Sequence, residues 1–366
     1  MLSYDQLIDE AAKGDVVAQF DLLVGTDTKL ETTTLNCLEK RGSLCILKEL
    51  YTRGLYHPAT AYTLGTNAAR GGHLALLMWA SKNGYLFTRT LSYSLCADAA
   101  LGGHLEMLQW LRARECFWSA NVCRNAAQGG HFELLKWAHA NGCPMNVWTC
   151  VAAAESGQFE ILQWLYANGC PWDEHTCKHA AAGGHLEMLQ WARAQDPPCP
   201  WDGETCASAA ENGHLEVLEW ALGCGCLHST MGLSAARFGH AHILEWMLTH
   251  GYPLYSDVCS GAAAGGHLEI LQWARLNGCP WNINVCDNAV KSGRFEVLQW
   301  ARANGCPWHP WVCSTAARMN RLDIIQWARA QNPPCPWNAN VCAEAARGGY
   351  LDILTWLRSQ DPPCPW

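Results

Sequence analysis

Cysteine and histidine recur along this chain at intervals regular enough to suggest chemistry. Seven pairs of cysteines stand seven residues apart: Cys116/Cys123, Cys143/Cys150, Cys170/Cys177, Cys199/Cys206, Cys279/Cys286, Cys306/Cys313 and Cys335/Cys342. Grouped thiolates bind soft metals or form disulfides, and a run of imidazoles can ligate metal or relay protons. Zinc-type sites use clusters such as Cys-x-x-Cys, and the sequence contains none. The tightest pair is Cys224-Gly225-Cys226. Histidine recurs as His73, His104, His131, His185, His214, His240 and His267, but the corresponding places elsewhere hold Asp15, Ser43, Gln158, Arg294, Arg321 and Tyr350. What these share is polarity, which suits a cap at a helix start or a hydrogen bond between neighbouring units. No Ser/His/Asp or Cys/His set, phosphate-cradling glycine loop or paired acidic site stands out. The expectation is a chain with no catalytic residue, no metal and no cofactor.

The periodicity that places these residues is the stronger signal. Around Gly184 the sequence reads Ala180-Ala181-Ala182-Gly183-Gly184-His185-Leu186-Glu187-Met188-Leu189-Gln190-Trp191. The position of Gly184 recurs at Gly14, Gly42, Gly72, Gly103, Gly130, Gly157, Gly213, Gly239, Gly266, Gly293, Asn320 and Gly349, thirteen copies in all, mostly 27 residues apart. A fixed period of this length marks an array of supersecondary units. Gly and Asn are the residues that best tolerate a left-handed backbone, so each anchor is expected to be a tight turn between two helices.

Counting from the anchor, apolar residues fall at +2, +4, +5, +7 and +8, as in Leu186, Met188, Leu189, Trp191 and Ala192, with Glu187 at +3 in the first turn. A helix apolar on two sides is packed on two sides, and acid in the first turn suits the helix dipole. The periodic Trp are expected to be core. The upstream helix carries an Ala pair, and the downstream helix ends at Asn-Gly followed by Cys-Pro-Trp, as in Asn168-Gly169-Cys170-Pro171-Trp172. Gly just past a helix end is the usual stop. Three exits are two residues longer: Asp196-Pro197-Pro198-Cys199, Asn332-Pro333-Pro334-Cys335 and Asp361-Pro362-Pro363-Cys364. Like cysteines of adjacent units should then lie about 8–10 Å apart, the spacing of packed helices. A disulfide needs Cα atoms about 4.4–6.8 Å apart, so a row of buried thiols without disulfides is expected.

Residues 1–66 keep only the skeleton of the repeat and read as degenerate capping units, 67–366 as the regular array, and 222–258 as an irregular unit. Leu222-Gly223-Cys224-Gly225-Cys226-Leu227-His228 lacks the Asn-Gly stop and is a candidate bend. The 366 residues are 49% hydrophobic and 16% charged with net charge −8. That supports a large core and offers no basic footprint for nucleic acid. No apolar run is long enough for a membrane span, and the N-terminus lacks a signal-peptide pattern. A cytoplasmic or nuclear chain with reduced thiols, not secreted, is therefore expected.

Gly184-His185-Leu186-Glu187-Met188-Leu189, together with Ala180-Ala181 and the Gly-containing stop, resembles the ankyrin repeat. The resemblance runs over roughly residues 10–360 and implies an all-α solenoid of about thirteen helix-turn-helix units. The unit here is about 27 residues where the family has 33. The deficit falls between Trp172 and His175, implying shortened or absent β-hairpins. The short, Trp-rich form is similar to ankyrin arrays of large DNA viruses of amoebae.

The resemblance implies a non-enzymatic scaffold that binds a partner protein through variable loop and first-helix residues. These are Glu174, His175, Lys178, His179, Glu204, Asn284, Asp287, Asn288 and Asn340, with Trp148 and Trp311 as aromatics at a loop position that is polar in sister units. The alternative is an assembly component that self-associates end to end through Leu354 and Trp356.

Overall fold

The computed structural model describes residues 38–40, 44–52, 61–84, 89–226, 230–309 and 311–365. Of residues 1–66, expected to be degenerate capping units, most lie outside these residues. Within them every regular element of four residues or more is an α-helix. The chain divides into two compact units, Met1–Thr176 and Cys177–Trp366, and both are built from the same helix pair.

The Gly213 repeat shows how local sequence makes that pair. Asp202 caps the first helix, Gly203–Glu211, its carboxylate accepting the Glu204 N–H at 3.0 Å. Asn338 does the same for Ala339–Arg347, and Asn146 completes a capping box with Thr149 at the start of Val147–Glu155. The Asp or Asn that follows Cys-Pro-Trp thus starts the next helix. The anchor then reverses the chain. Gly213 has φ +80, Gly184 has φ +73, and the Asn320 that replaces glycine is also left-handed at φ +58. The N–H one residue past the anchor donates back to the first helix, as from His214 to Ala209 O at 2.9 Å. The second helix, Leu215–Gly223, runs to a second left-handed glycine, Gly225, at φ +81.

Within 222–228, expected from the sequence to be a bend, the described residues 222–226 keep the exit geometry of the other repeats. Gly223 is the last residue of an ordinary second helix, Gly225 takes the place of the usual Asn-Gly glycine, and the Cys226 N–H donates to Ala221 O at 3.0 Å. Cys143, Cys170, Cys279 and Cys306 make the equivalent bond in their own repeats. The longer exits converge on it too, with Cys199 bonded to Ala192 O, Cys335 to Ala328 O and Cys364 to Leu357 O. The two additional residues form a wider loop and leave the exit cysteine where it was. Leu227 and His228 lie outside the described residues.

The interior is made of the Ala pairs and the +4, +5 and +8 residues of the second helices. Ala209, Ala210, Val217, Leu218 and Ala221 are all buried, and sister positions repeat the set. Alanine lets successive first helices approach closely, while each leucine contributes about 1.5–3 kcal/mol by burial. The +7 Trp are not core as the periodicity predicts: Trp110, Trp137, Trp164, Trp191, Trp220, Trp246, Trp273, Trp300, Trp327 and Trp356 are half-buried. An indole is large enough to pack with one face and leave another wet. The exit Trp of one repeat meets the +7 Trp of the next, edge to face at 5.6 Å for Trp201–Trp220 and tilted at 6.0 Å for Trp281–Trp300. An arginine at +9 locks this seam. Arg193 lies 4.3 Å over Trp201 and donates to Cys199 O, and Arg302 and Arg329 repeat both contacts. Tyr166 replaces this arginine by stacking on Trp172 at 4.4 Å.

In several repeats the recurrent histidine ties its repeat to the one before it. Nε2 of His104 donates to Arg70 O at 3.0 Å, His131 to Leu101 O at 2.9 Å, His214 to Ala182 O at 3.0 Å and His267 to Arg237 O at 3.1 Å. A carbonyl only accepts, so the proton sits on Nε2. None of these side chains caps its own helix, so of the two expected roles the inter-repeat bond is the one realised. Arg321 departs from the pattern by pairing with Asp323 at 2.7 Å, which holds that carboxyl below its ordinary value.

The two glycine turns should respond differently to alanine. A Cβ on Gly184 would meet the His214 ring at 2.6 Å, whereas one on Gly278, at φ +82, meets nothing within 4 Å. Gly278→Ala carries only the left-handed backbone penalty of about 1 kcal/mol. Gly184→Ala adds displacement of the histidine and its bond, for a total of about 2–3 kcal/mol. Urea melts of the two variants check the order; equal losses would refute it.

Candidate partner-binding face

The caps set which side chains the first helices present outward. The residue two past the cap, nine before the anchor, begins a row that dips between neighbouring helices at −6 and −5, where Asp287 and Thr315 are buried, and returns to the surface at −2, as at Lys291 and Arg318. Trp148 and Trp311 both hold the −9 place. They lie in the first turn of Val147–Glu155 and Trp311–Arg318, not in a loop as the sequence suggests, and are 46% and 50% exposed. The corresponding Glu204, Asn284 and Asn340 are exposed and His175 is half-buried.

In the N-terminal unit, Trp148 stands between two neighbours of the same face. The His175 ring is 5.6 Å away and the Arg124 guanidinium 5.9 Å from the indole centre. His175 is oriented by Asp173, whose carboxylate accepts its N–H at 3.0 Å and meets Nδ1 at 3.2 Å. Ligand atoms of Asp173, the exposed Glu174 and His175 come within 4.8 Å of one another. The capping geometry of Asp173 accounts for that closeness.

In the C-terminal unit, an open groove of about 430 Å³ is lined by Asp287, Lys291, Trp311, Ser314, Thr315, Arg318, Asn340 and Glu344. Three successive first helices supply these residues. Their charges are mixed, and the indole of Trp311, backed at 4.3 Å by His309, is the large apolar surface among them. Lys178 pairs with Glu204 across adjacent helices at 3.2 Å, and His179 is half-buried beside them.

Two expected surface residues have other work. Asp287 is 2% exposed; its carboxylate accepts from Thr315 Oγ1 at 2.6 Å and meets Lys291 Nζ at 2.7 Å. A buried carboxylate persists because both partners compensate its lost hydration. Asn288 donates to Ser260 O of the preceding repeat at 3.1 Å, as Asn125 does to Ala97 O at 2.8 Å. Position −5 thus joins repeats. Conversely, Arg124, Lys291, Ser314, Arg318 and Glu344 were not singled out from the sequence. Ser314 and Arg318 follow from Trp311 by helical spacing, since residues three and seven apart share a face, and Arg124, Lys291 and Glu344 occupy the −6, −2 and −5 places of neighbouring repeats. Leu354 and Trp356 are half-buried, with Trp356 edge-on to Trp337 at 6.2 Å, while Leu351 is 73% exposed.

These units define a helix-turn-helix repeat array with one repeated outward face. Residues 150–193 match the family model for ankyrin repeats in many copies. The same register continues on either side of that segment. The Asn168–Asp173 exit leads directly into the next first helix and leaves no room for a projecting hairpin. No curated protein sequence matches the chain. Among solved structures it is similar to the pentatricopeptide repeat protein PPR10 in complex with an 18-nt psaJ RNA element, at 12% identity and TM-score 0.41, covering 96% of this chain and 61% of that one. It is also similar to the human ASB11 ankyrin repeat domain, at 18% identity and TM-score 0.35, covering 45% of this chain and 85% of that one. The chain thus spans about three fifths of the PPR10 chain, and at these scores neither likeness assigns it a ligand. No helix among the described residues is long and apolar enough to cross a membrane.

Proposed function

We propose that this array is a non-enzymatic scaffold that binds a partner protein along the outward face of its first helices. The observation that carries the reading is the exposure of Trp148 and Trp311, 46% and 50%, at a register place that is polar in sister repeats. The fold does not require an aromatic there, since Asn284 and Asn340 start equally well-capped helices. Exposed tryptophan rimmed by arginine and polar groups is the composition of an interface hot spot. In the N-terminal unit the anchor is Trp148 with Arg124 and His175. In the C-terminal unit it is Trp311 with Lys291, Arg318, Asn340 and Glu344.

Hydrogen exchange with a bound partner tests the location. Expected protection falls on the first turns of Val147–Glu155 and Trp311–Arg318 and on their neighbouring first helices. Protection confined to the second helices or exit loops would refute the assignment.

A further inference from the structure

The cysteines seven apart in sequence are not the ones that meet. Each first-helix cysteine faces the exit cysteine of its own repeat, 20 residues on, or 22 where the exit is longer. Cys259 Sγ lies 2.9 Å from Cys279 Sγ, and Cys286 Sγ 3.3 Å from Cys306 Sγ. The spacing produces nine such pairs: Cys96/Cys116, Cys123/Cys143, Cys150/Cys170, Cys177/Cys199, Cys206/Cys226, Cys259/Cys279, Cys286/Cys306, Cys313/Cys335 and Cys342/Cys364. They use eighteen of the 21 cysteines. Helix packing keeps like cysteines of adjacent repeats apart, but it brings these unlike ones together within one repeat.

The pair behaves as a unit along the chain. In the Gly239 repeat the first-helix place is Gly232 and the exit place Tyr252; in the Gly72 repeat they are Gly65 and Tyr85. In none of the thirteen repeats does one cysteine of the pair occur without the other. A small buried apolar residue would not need its partner to be cysteine too.

We propose that each pair is a redox-closable bridge, oxidised by peroxide to a disulfide that staples the first helix to the exit loop of the same repeat. The sulfurs of Cys259 and Cys279 are within about 1 Å of the disulfide bond length of about 2.05 Å, so closure needs only a small shift. In Cys123/Cys143, Cys150/Cys170, Cys259/Cys279 and Cys286/Cys306 the exit thiol is the attacking group, whereas Cys335 is pushed up by its bond to Cys313, which takes the attacking role in that pair. The Cys259 S–H donates to Cys279 Sγ, and that bond holds Cys279 below the ordinary thiol range, as the same arrangement does Cys143, Cys170 and Cys306. Cys143, Cys170 and Cys226 also keep slight exposure at the loop surface.

The Cys279 thiolate attacks one peroxide oxygen. The O–O bond breaks, and the departing hydroxide takes up the proton released by the thiol, leaving a sulfenic acid and one water. Cys259 Sγ then attacks Cys279 Sγ; the S–S bond forms, the S–O bond breaks, and the second water leaves with the Cys259 proton. Two thiols lose two electrons and peroxide gains them.

The test titrates the reduced, metal-free full chain with hydrogen peroxide, then alkylates it in denaturant for mass spectrometry. The expected result is a fall from 21 alkylated thiols toward three, a mass loss of two hydrogens per pair, and digest fragments linking Cys259 to Cys279 and Cys286 to Cys306. The oxidised chain should melt at least about 5 °C higher, because closing these loops restricts the unfolded chain. Cys279→Ser should remove one bridge and leave the others. Retention of 21 thiols, links between other cysteines, intermolecular bonds, or conversion to sulfinic acid would each overturn the proposal.

Discussion

Leu298→Ala should lower the unfolding free energy by about 3 kcal/mol, within the range of about 2–5 found for buried leucine truncations. Leu298 is fully buried at +5 of the second helix Phe295–Ala303. Its helix packs on its own first helix, Asn284–Lys291, which in turn packs on the first helices of the adjacent repeats, so a cavity here loosens the base of a seam between units. Repeat arrays are held by nearest-neighbour terms, and weakening one seam uncouples the repeats on its two sides. Urea titration should therefore show a lower midpoint together with a broadened or split transition. A variant that loses less than about 1 kcal/mol and keeps a single sharp transition would show that the seam is not cooperative in this way.

The same dependence on neighbours explains what could and could not be read from sequence. Gly184 and its sister anchors are legible because a left-handed turn tolerates few residues, and Asn320 confirms the rule by adopting φ +58 itself. The Ala pairs and the +5 leucines are legible because a fixed helical period leaves them facing inward. The half-burial of Trp220 and its sisters was not. Periodicity shows that a side is packed, not how much of a large ring the packing covers.

Asp287 was misplaced for a related reason. Charge within a helix reads as surface, and the Thr315 that donates to it lies 28 residues away in another repeat. Asn288 is spoken for by a carbonyl at the same separation. The cysteine pairing was hidden differently. Cys170 and Cys177 stand close in sequence because an exit meets the next first helix there, but the helix pair doubles back and brings together residues 20 apart. Polar partners across repeats and thiol partners within them are consequences of the turn, so they appear only when the turn is built.

For the candidate face, Trp148→Ala and Trp311→Ala should each weaken partner binding by about 2 kcal/mol, roughly thirtyfold, the scale of a hot-spot truncation. Their folding cost should be small. Both side chains are about half exposed, 46% and 50%, and their ring neighbours His175 and His309 are themselves only partly buried. The backbone caps beneath them come from Asn146 and His309 and do not involve the indoles. Isothermal titration and thermal melts on the same preparations separate the two effects. Trp220→Ala is the internal contrast: its ring packs against Trp201 in the seam between repeats, so it should lose melting temperature first and affinity only as a consequence. If Trp148→Ala and Trp311→Ala instead lower the melting temperature as Trp220→Ala does while affinity holds, the two indoles are part of the seam, and the partner docks elsewhere on the array.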